Sequence, residues 1–180
     1  MKNYLFVQFL KMIVGILFCM SIVSCATHPK LVDHSFSFDA ISESPEVTIL
    51  EYRYGNSKQP GARSTSQGTA QGTGINGAML QGDELYVKWK MKNTGDIYQD
   101  TVDLKKRLPK DITDHAVHFV IKENKLYVYL VSPEKITGAC TERMAHPNVK
   151  KIASERIFRL YCDRKIFTIY PDPIPPNKFN

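Results

Sequence analysis

The chain has 180 residues, enough for one domain that buries most of its unfolded apolar surface without help from a metal. Hydrophobic residues make up 43% and charged residues 23%, which excludes wholesale disorder and a wholly membrane-embedded chain. Formal charge is +6; without Lys2 and Lys11, which flank the start of a signal-like apolar run, 22 basic side chains face 18 acidic ones, a net +4. The longest basic run is Lys105-Lys106-Arg107, too little for the concentrated basic face of a nucleic-acid binder.

The first 25 residues hold Lys2 and Lys11, then the uncharged apolar run Met12 to Val23, then Ser24-Cys25. That order reads as a secretion signal. The run has 12 residues, short of the roughly 17 to 25 that a membrane-spanning helix needs. Its end, Ile22-Val23-Ser24-Cys25, resembles the bacterial lipobox, in which an aliphatic and a small residue precede the cysteine that is lipidated. The resemblance implies that residues 1–24 are a lipoprotein signal peptide. It also implies that Cys25 receives a diacylglyceryl group and, as the new N-terminus, a further acyl chain such as palmitate. Three acyl chains anchor stably, so the lipid bilayer is a partner through Cys25. By resemblance to enterobacterial sorting, Ala26 after the cysteine points to the periplasmic face of the outer membrane. The competing readings are a secreted protein with a chance cysteine and a retained anchor helix.

Cysteine arithmetic agrees with that compartment. Cys19 leaves with the leader and Cys25 is lipidated, so Cys140 and Cys162 remain. An even remainder in an oxidising periplasm reads as a disulfide, against the alternative of two free buried thiols.

Residues 25–45 read as a lipidated tether, Ser-rich around Ser35 and Ser37, with a short strand at Phe36 to Phe38. The β-rich domain is expected over 46–170. Its first strand is Glu46 to Tyr54, where Val47 and Ile49 alternate with Thr48 and Leu50. Residues 55–77 hold six of the ten glycines and read as a long exposed loop with an irregular strand near Ile75. The strongest periodicity follows: Leu85, Val87, Trp89 and Met91 share one strand face, and Tyr86, Lys88, Lys90 and Lys92 the other. Asn93-Thr94-Gly95-Asp96 supplies a turn, and Ile97 to Leu104 returns with Val87 expected opposite Val102 and Leu85 opposite Leu104.

A second hairpin runs Ala116 to Ile121, Glu123-Asn124, Leu126 to Val131. A third runs Arg156 to Cys162, Asp163-Arg164, Ile166 to Tyr170. Short helices are expected only between Ser132 and Glu155, for example Val149 to Glu155 behind Asn148. Residues 171–180 are a Pro-rich tail that cannot form a ladder. Three hairpins with no alternating helices predict an all-β, mainly antiparallel fold, either a β-sandwich or an open barrel with short helical insertions, after the N-terminal signal helix.

The strings Asp83-Glu84-Leu85-Tyr86-Val87-Lys88-Trp89, Asp100-Thr101-Val102-Asp103-Leu104, Arg107-Leu108-Pro109 and Val117-His118-Phe119-Val120-Ile121 resemble a loose group of Gram-negative lipoproteins. Some members lie beside type VI secretion effectors and are read as immunity proteins. The resemblance spans roughly residues 83 to 131 and rests on a sheet pattern, so it carries over no catalytic residue.

Three constellations in the chain bear on chemistry. Gly72-Thr73-Gly74-Ile75-Asn76-Gly77 fits the dinucleotide string, but Ala78 to Gly82 cannot make the helix the fingerprint needs, so no cofactor is expected. Asp111, Asp114, His115 and His118 form the one tight His and carboxylate cluster. On a strand, however, His115 and His118 fall on opposite faces, so a polar turn is the preferred reading and no metal site is assigned. No nucleophile elbow or zinc-protease string occurs, and no catalytic residue is assigned. Lys88, Lys90 and Lys92 with Tyr86 form a candidate partner-binding face for an acidic protein or envelope component, against the plainer reading of edge protection by lysine. The function expected is that of a membrane-anchored periplasmic lipoprotein that binds protein, such as an immunity protein against a secreted effector. The alternative is a structural or assembly lipoprotein of the envelope.

Overall fold

The computed structural model describes residues 31–55, 69–136 and 161–171. The signal peptide expected at residues 1–24, Cys25, residues 56–68 of the Gly-rich stretch, Cys140, the helix expected at Val149 to Glu155, the strand arm expected from Arg156 to Leu160 and the tail after Pro171 lie outside the described residues.

Among the described residues eight strands form two sheets that pack as a sandwich, which resolves the choice between sandwich and barrel. The strands are β1 (Leu31–Asp39), β2 (Val47–Tyr54), β3 (Gly72–Leu80), β4 (Glu84–Met91), β5 (Ile97–Asp103), β6 (Ala116–Lys122), β7 (Lys125–Lys135) and β8 (Arg164–Tyr170). One sheet has the order β3-β1-β6-β7-β8 and the other β2-β4-β5. Every pairing is antiparallel except β1 with β6, where Ser35, Phe36 and Ser37 run parallel to Ala116, Val117 and His118.

The core lies between the sheets. β1 sends Phe36 and Phe38 inward, and they meet the inward tyrosines of β2. Phe36 stacks on Tyr54 with ring centroids 4.4 Å apart, and Phe38 stands edge-on to Tyr52 at 4.8 Å. Phe38 also stacks on Phe119 of β6 at 4.4 Å. Leu85, Val87 and Trp89 of β4 and Leu126, Val128 and Leu130 of β7 complete the layer, all buried. Burying one such side chain contributes about 1.5–3 kcal/mol, so this row of aromatics is the main bond between the sheets.

β1 corrects the expected tether. The fold begins by Leu31, because Val32, His34, Phe36 and Phe38 alternate inward. His34 takes a core position because both ring nitrogens are partnered. Nδ1 donates to the Val32 carbonyl at 2.8 Å and Nε2 accepts from the Tyr54 hydroxyl at 2.9 Å. Burial lowers the His34 pKa, outweighing the Val32 hydrogen bond and Asp33, which raise it, and burial pushes Tyr54 up to about 12. The Tyr54 ring packs flat on Gly82, where a Cβ would come within 2.6 Å of a ring carbon.

Other expectations shift in detail. Gly72 to Gly77 belong to β3, paired along β1 from Asp39 to His34, so the expected loop ends before Gly72. The β4–β5 turn does use Gly95 at φ +80°, but it closes with Met91 N–H donating to Asp96 O at 2.9 Å. The register therefore places Leu85 opposite Val102 and Val87 opposite Asp100, two residues from the expected pairing. Leu104 leaves the strand for a single 3-10 turn (Leu104–Lys106) capped by the Asp103 carboxylate and is fully buried there. The β6–β7 hairpin has the expected two-residue turn, with Glu123 at φ +57°. In the third hairpin, Tyr161 is helical and Cys162 lies in the turn before β8, neither of them on a strand. Among the described residues a short α-helix, α1 (Ala40–Glu43), follows β1 directly, upstream of the region where helices were expected.

Candidate functional site

The residues singled out on β4 form the centre of an open sheet face. Tyr86, Lys88 and Lys90 all point away from the core on the middle strand of the three-stranded sheet. The register sets Arg53 of β2 and Thr101 of β5 beside Tyr86, and Glu51 and Gln99 beside Lys88. Arg53 is the residue that sequence reasoning missed. Its guanidinium lies over the Tyr86 ring at 5.1 Å and bonds the Glu84 carboxylate at 3.2 Å, while the Tyr86 hydroxyl donates to Gln99 at 3.2 Å. The alternation of β2 places Arg53 outward, so the signal was present; only its pairing partner was unknown. Lys92 departs from the expectation. β4 ends at Met91, and the Lys92 ammonium turns back to the Pro45 carbonyl at 2.8 Å. The face is thus mixed rather than uniformly basic, with Glu51 and Glu84 among the cations and Lys88 and Lys90 making no ion pair with a described residue.

The opposite outward face, on the five-stranded sheet, holds a second constellation. β1 and β6 run side by side so that Ser37 neighbours His118. The Ser37 hydroxyl meets His118 Nδ1 at 2.8 Å, and His118 Nε2 meets the Glu43 carboxylate at 2.7 Å. The His118 and Glu43 side chains are 5% and 1% exposed. α1 brings Glu43 there. Asp39 caps the helix by accepting from Ser42 N–H at 3.1 Å. Ser44 then stitches the chain to β6, donating to Ile121 O at 2.6 Å and accepting from Ile121 N–H at 3.0 Å. β1 pairs with β6 only as far as His118, so the Ser44 hydroxyl supplies partners that the strand does not. Beside this chain of hydrogen bonds lies a pocket of about 410 Å³ lined by Ser37, Asp39, Glu43, Gly72, Thr73 and Tyr161, among others. Tyr129, opposite His118 on β7, has its pKa raised by burial first, then by Tyr127 and Glu43.

In the sequence His118 stands in other company, with Asp111, Asp114 and His115. The structure separates that company: Asp111 accepts from Thr113 in its own turn at 2.9 Å, His115 Nδ1 meets Thr113 O at 2.8 Å in an exposed loop, and Asp114 N–H donates to Asp33 O. The real neighbours, Ser37 and Glu43, are 81 and 75 residues away in sequence, and no local spacing announces them. Cys162 is disulfide-bonded; its expected partner Cys140, like Cys25, lies outside the described residues.

Comparison with known protein families, curated proteins and solved structures found no match to this chain.

Proposed function

We propose that the chain is a lipid-anchored lipoprotein of the outer membrane, held by acylated Cys25, whose sandwich binds a protein partner in the periplasm as an immunity protein against a secreted effector. The observation that carries the binding reading is the open face of β2-β4-β5. Tyr and Arg are the residue types that concentrate binding energy in protein interfaces, and here Arg53 and Tyr86 are held against each other before any partner arrives. Preordering lowers the entropy lost on association. Lys88 and Lys90 beside them steer an acidic surface toward the pair. The lipobox resemblance supports the address, and the limited likeness over residues 83 to 131 supports the immunity role.

The test expresses the product of the neighbouring effector gene in the periplasm, with and without this protein. Growth rescue, together with a stoichiometric complex that Tyr86→Ala weakens at least tenfold, is the expected result. If no neighbouring product is toxic while the protein is recovered with a resident envelope protein, the assembly role replaces the immunity role. Palmitate labelling that survives Cys25→Ser removes the anchor.

A further inference from the structure

We propose that Ser37 is a nucleophile, served by His118 as base and Glu43 as the group that positions it, and that the pocket in front of it takes a small uncharged carboxylic ester. A carboxylate only accepts hydrogen bonds, so His118 Nε2 carries the proton facing Glu43 at 2.7 Å. With that proton at Nε2, the ring's lone pair as a base is at Nδ1, and the Ser37 hydroxyl lies 2.8 Å away, placed to donate to it. Hydroxyl to imidazole to carboxylate is the order that activates a serine, recognised by geometry and roles rather than by position in the chain. The two ring nitrogens stand in exchanged roles relative to the commoner arrangement. The chemistry needs one lone pair and one N–H, and either nitrogen can supply either. Burial of the His118 and Glu43 side chains keeps water from competing for the pair.

The space in front of Ser37 is an independent observation. In the β1–β3 register Gly72 stands opposite Asp39 and Gly74 opposite Ser37. One pair further along the same face, Ser35 donates to Asn76 at 2.9 Å, so side chains facing each other across these strands touch. A Cβ at Gly74 would meet no atom of the described residues within 4 Å. Packing among those residues therefore does not demand glycine there, whereas a side chain at that place would stand beside the Ser37 hydroxyl. Glycine keeps the approach to Ser37 open. The pocket's walls select the substrate. Asp39 and Glu43 line it, which disfavours phosphate and carboxylate groups, and Tyr161 beside them adds an aromatic wall that suits an uncharged molecule.

In the reaction, Ser37 Oγ bonds to the ester carbonyl carbon and its proton passes to His118 Nδ1. The tetrahedral carbon collapses, its bond to the alkoxy oxygen breaks, and the alcohol leaves with that proton. Water then attacks the acyl-Ser37 ester, giving its proton to Nδ1, and the acid departs as the proton returns to Ser37 Oγ. Ester and water become acid and alcohol, with no other reactant.

The experiment treats the folded, disulfide-intact protein with a biotinylated fluorophosphonate. This probe forms a phosphorus bond to an activated serine oxygen and expels fluoride. Tryptic mass spectrometry should place the adduct on Ser37 in native but not heat-denatured protein, and Ser35→Ala should label as wild type. Ser37→Ala should abolish the adduct, and His118→Ala should slow it by about 100-fold or more. Glu43→Gln keeps an acceptor for Nε2–H but removes the charge, so it should slow labelling tenfold or more and displace the acid limb of the pH–rate profile. A purely structural Glu43 would not move that limb. If the Ser37 or His118 variants do not fold, Gly74→Leu serves in their place. It leaves Ser37 and His118 intact, fills the space before the hydroxyl, and should lower labelling at least tenfold. Folded protein that takes no adduct on Ser37, or that labels equally in Gly74→Leu, overturns the proposal. The readout is independent of growth protection, so this site and the Tyr86 face stand or fall separately.

Discussion

The two outward faces of the sandwich are built on opposite principles. On β6 and β7, His118, Val120, Tyr129 and Val131 point away from the central core and are nonetheless buried, with Tyr127, Tyr161 and Ile166 packed around Val120 and Tyr129. On β4 and β5, the outward Lys90, Gln99 and Thr101 are exposed and Tyr86 and Lys88 half-buried. A sheet covered on both faces reads as a continuous apolar run, whereas one open to water reads as strict alternation. Ala116 to Ile121 and Leu126 to Val131 show the first pattern, and Glu84 to Met91 shows the second. The covered face also shelters the polar chain of Ser37, His118 and Glu43, where low exposure keeps the hydrogen bonds intact. The open face supplies contacts that a partner can reach.

The largest expected effect breaks this difference directly. Val120→Lys places an unpaired ammonium on the covered face and should destabilise by about 3–5 kcal/mol. Lys90→Val on the open face should change stability by no more than about 0.5 kcal/mol. Urea denaturation midpoints measure both. If Val120→Lys is tolerated as well as Lys90→Val, the five-stranded sheet has an open outward face after all.

Next in size is the disulfide at Cys162, which follows Tyr161 of the covered face. If Cys140 is its partner, the closed span is 23 residues (162 − 140 + 1), and reduction should remove roughly 3 kcal/mol by loop-closure entropy. Mass spectrometry of the unreduced protein should find the peptides of Cys140 and Cys162 linked. Hydrogen exchange after reduction should rise first in β7 and β8, which flank the bridge, and last in β4 and β5. Two freely alkylated thiols in natively isolated protein would refute the pairing.

The same contrast explains what the sequence disclosed. β4 and the β6–β7 hairpin announce themselves, because their side chains carry the burial pattern and Glu123-Asn124 suits a two-residue turn. β1 carried a period of two as well, with Val32, His34, Phe36 and Phe38 on one side. The histidine in the apolar row and the serines between concealed it. His34 fits the core only because the Val32 carbonyl and the Tyr54 hydroxyl satisfy both its nitrogens, and Tyr54 is 20 residues away. β3 has almost no side-chain pattern, since Gly72, Gly74 and Gly77 contribute backbone pairing to β1 and little else. The Tyr86 face was legible to the extent that one strand sufficed; Arg53 needed the β2–β4 register. The Ser37 site was not legible, because three chain segments converge only once β1 runs parallel to β6.

A smaller effect belongs to the interior that both faces share. Burial holds His34 neutral in the folded state, with Asp33 and the Tyr54 hydroxyl the polar side chains beside it. The unfolded chain takes up that proton near the ordinary value of 6.5, so it binds more protons than the folded chain below that pH. The stabilising contribution is therefore fully present above about pH 6.5 and is lost progressively as pH falls below it. Denaturation midpoints of wild type and His34→Phe between pH 7.5 and 5.5 isolate the contribution. The wild type should lose stability more steeply on acidification, and parallel curves would remove His34 from the account.

The smallest expected change in stability accompanies the sharpest change in binding. Lys88→Glu with Lys90→Glu reverses two charges on the open face. Lys88 stands opposite Glu51, so the double variant sets like charges across the β2–β4 pair and should lose no more than about 1 kcal/mol. Its effect on a partner acts chiefly through encounter. Complementary charge raises the association rate and is screened by salt, whereas contacts such as the Arg53–Tyr86 pair mainly govern dissociation. Under the proposed binding role, the double variant should associate with the partner at least tenfold more slowly at low salt and approach the wild-type rate at high salt, with an unchanged dissociation rate. Tyr86→Ala should do the reverse, leaving association nearly intact and speeding dissociation. Stopped-flow association at two ionic strengths separates the two. If reversing both lysines leaves the low-salt rate unchanged, the open face is a solvated sheet surface, and the lysines there serve only to discourage unwanted strand pairing.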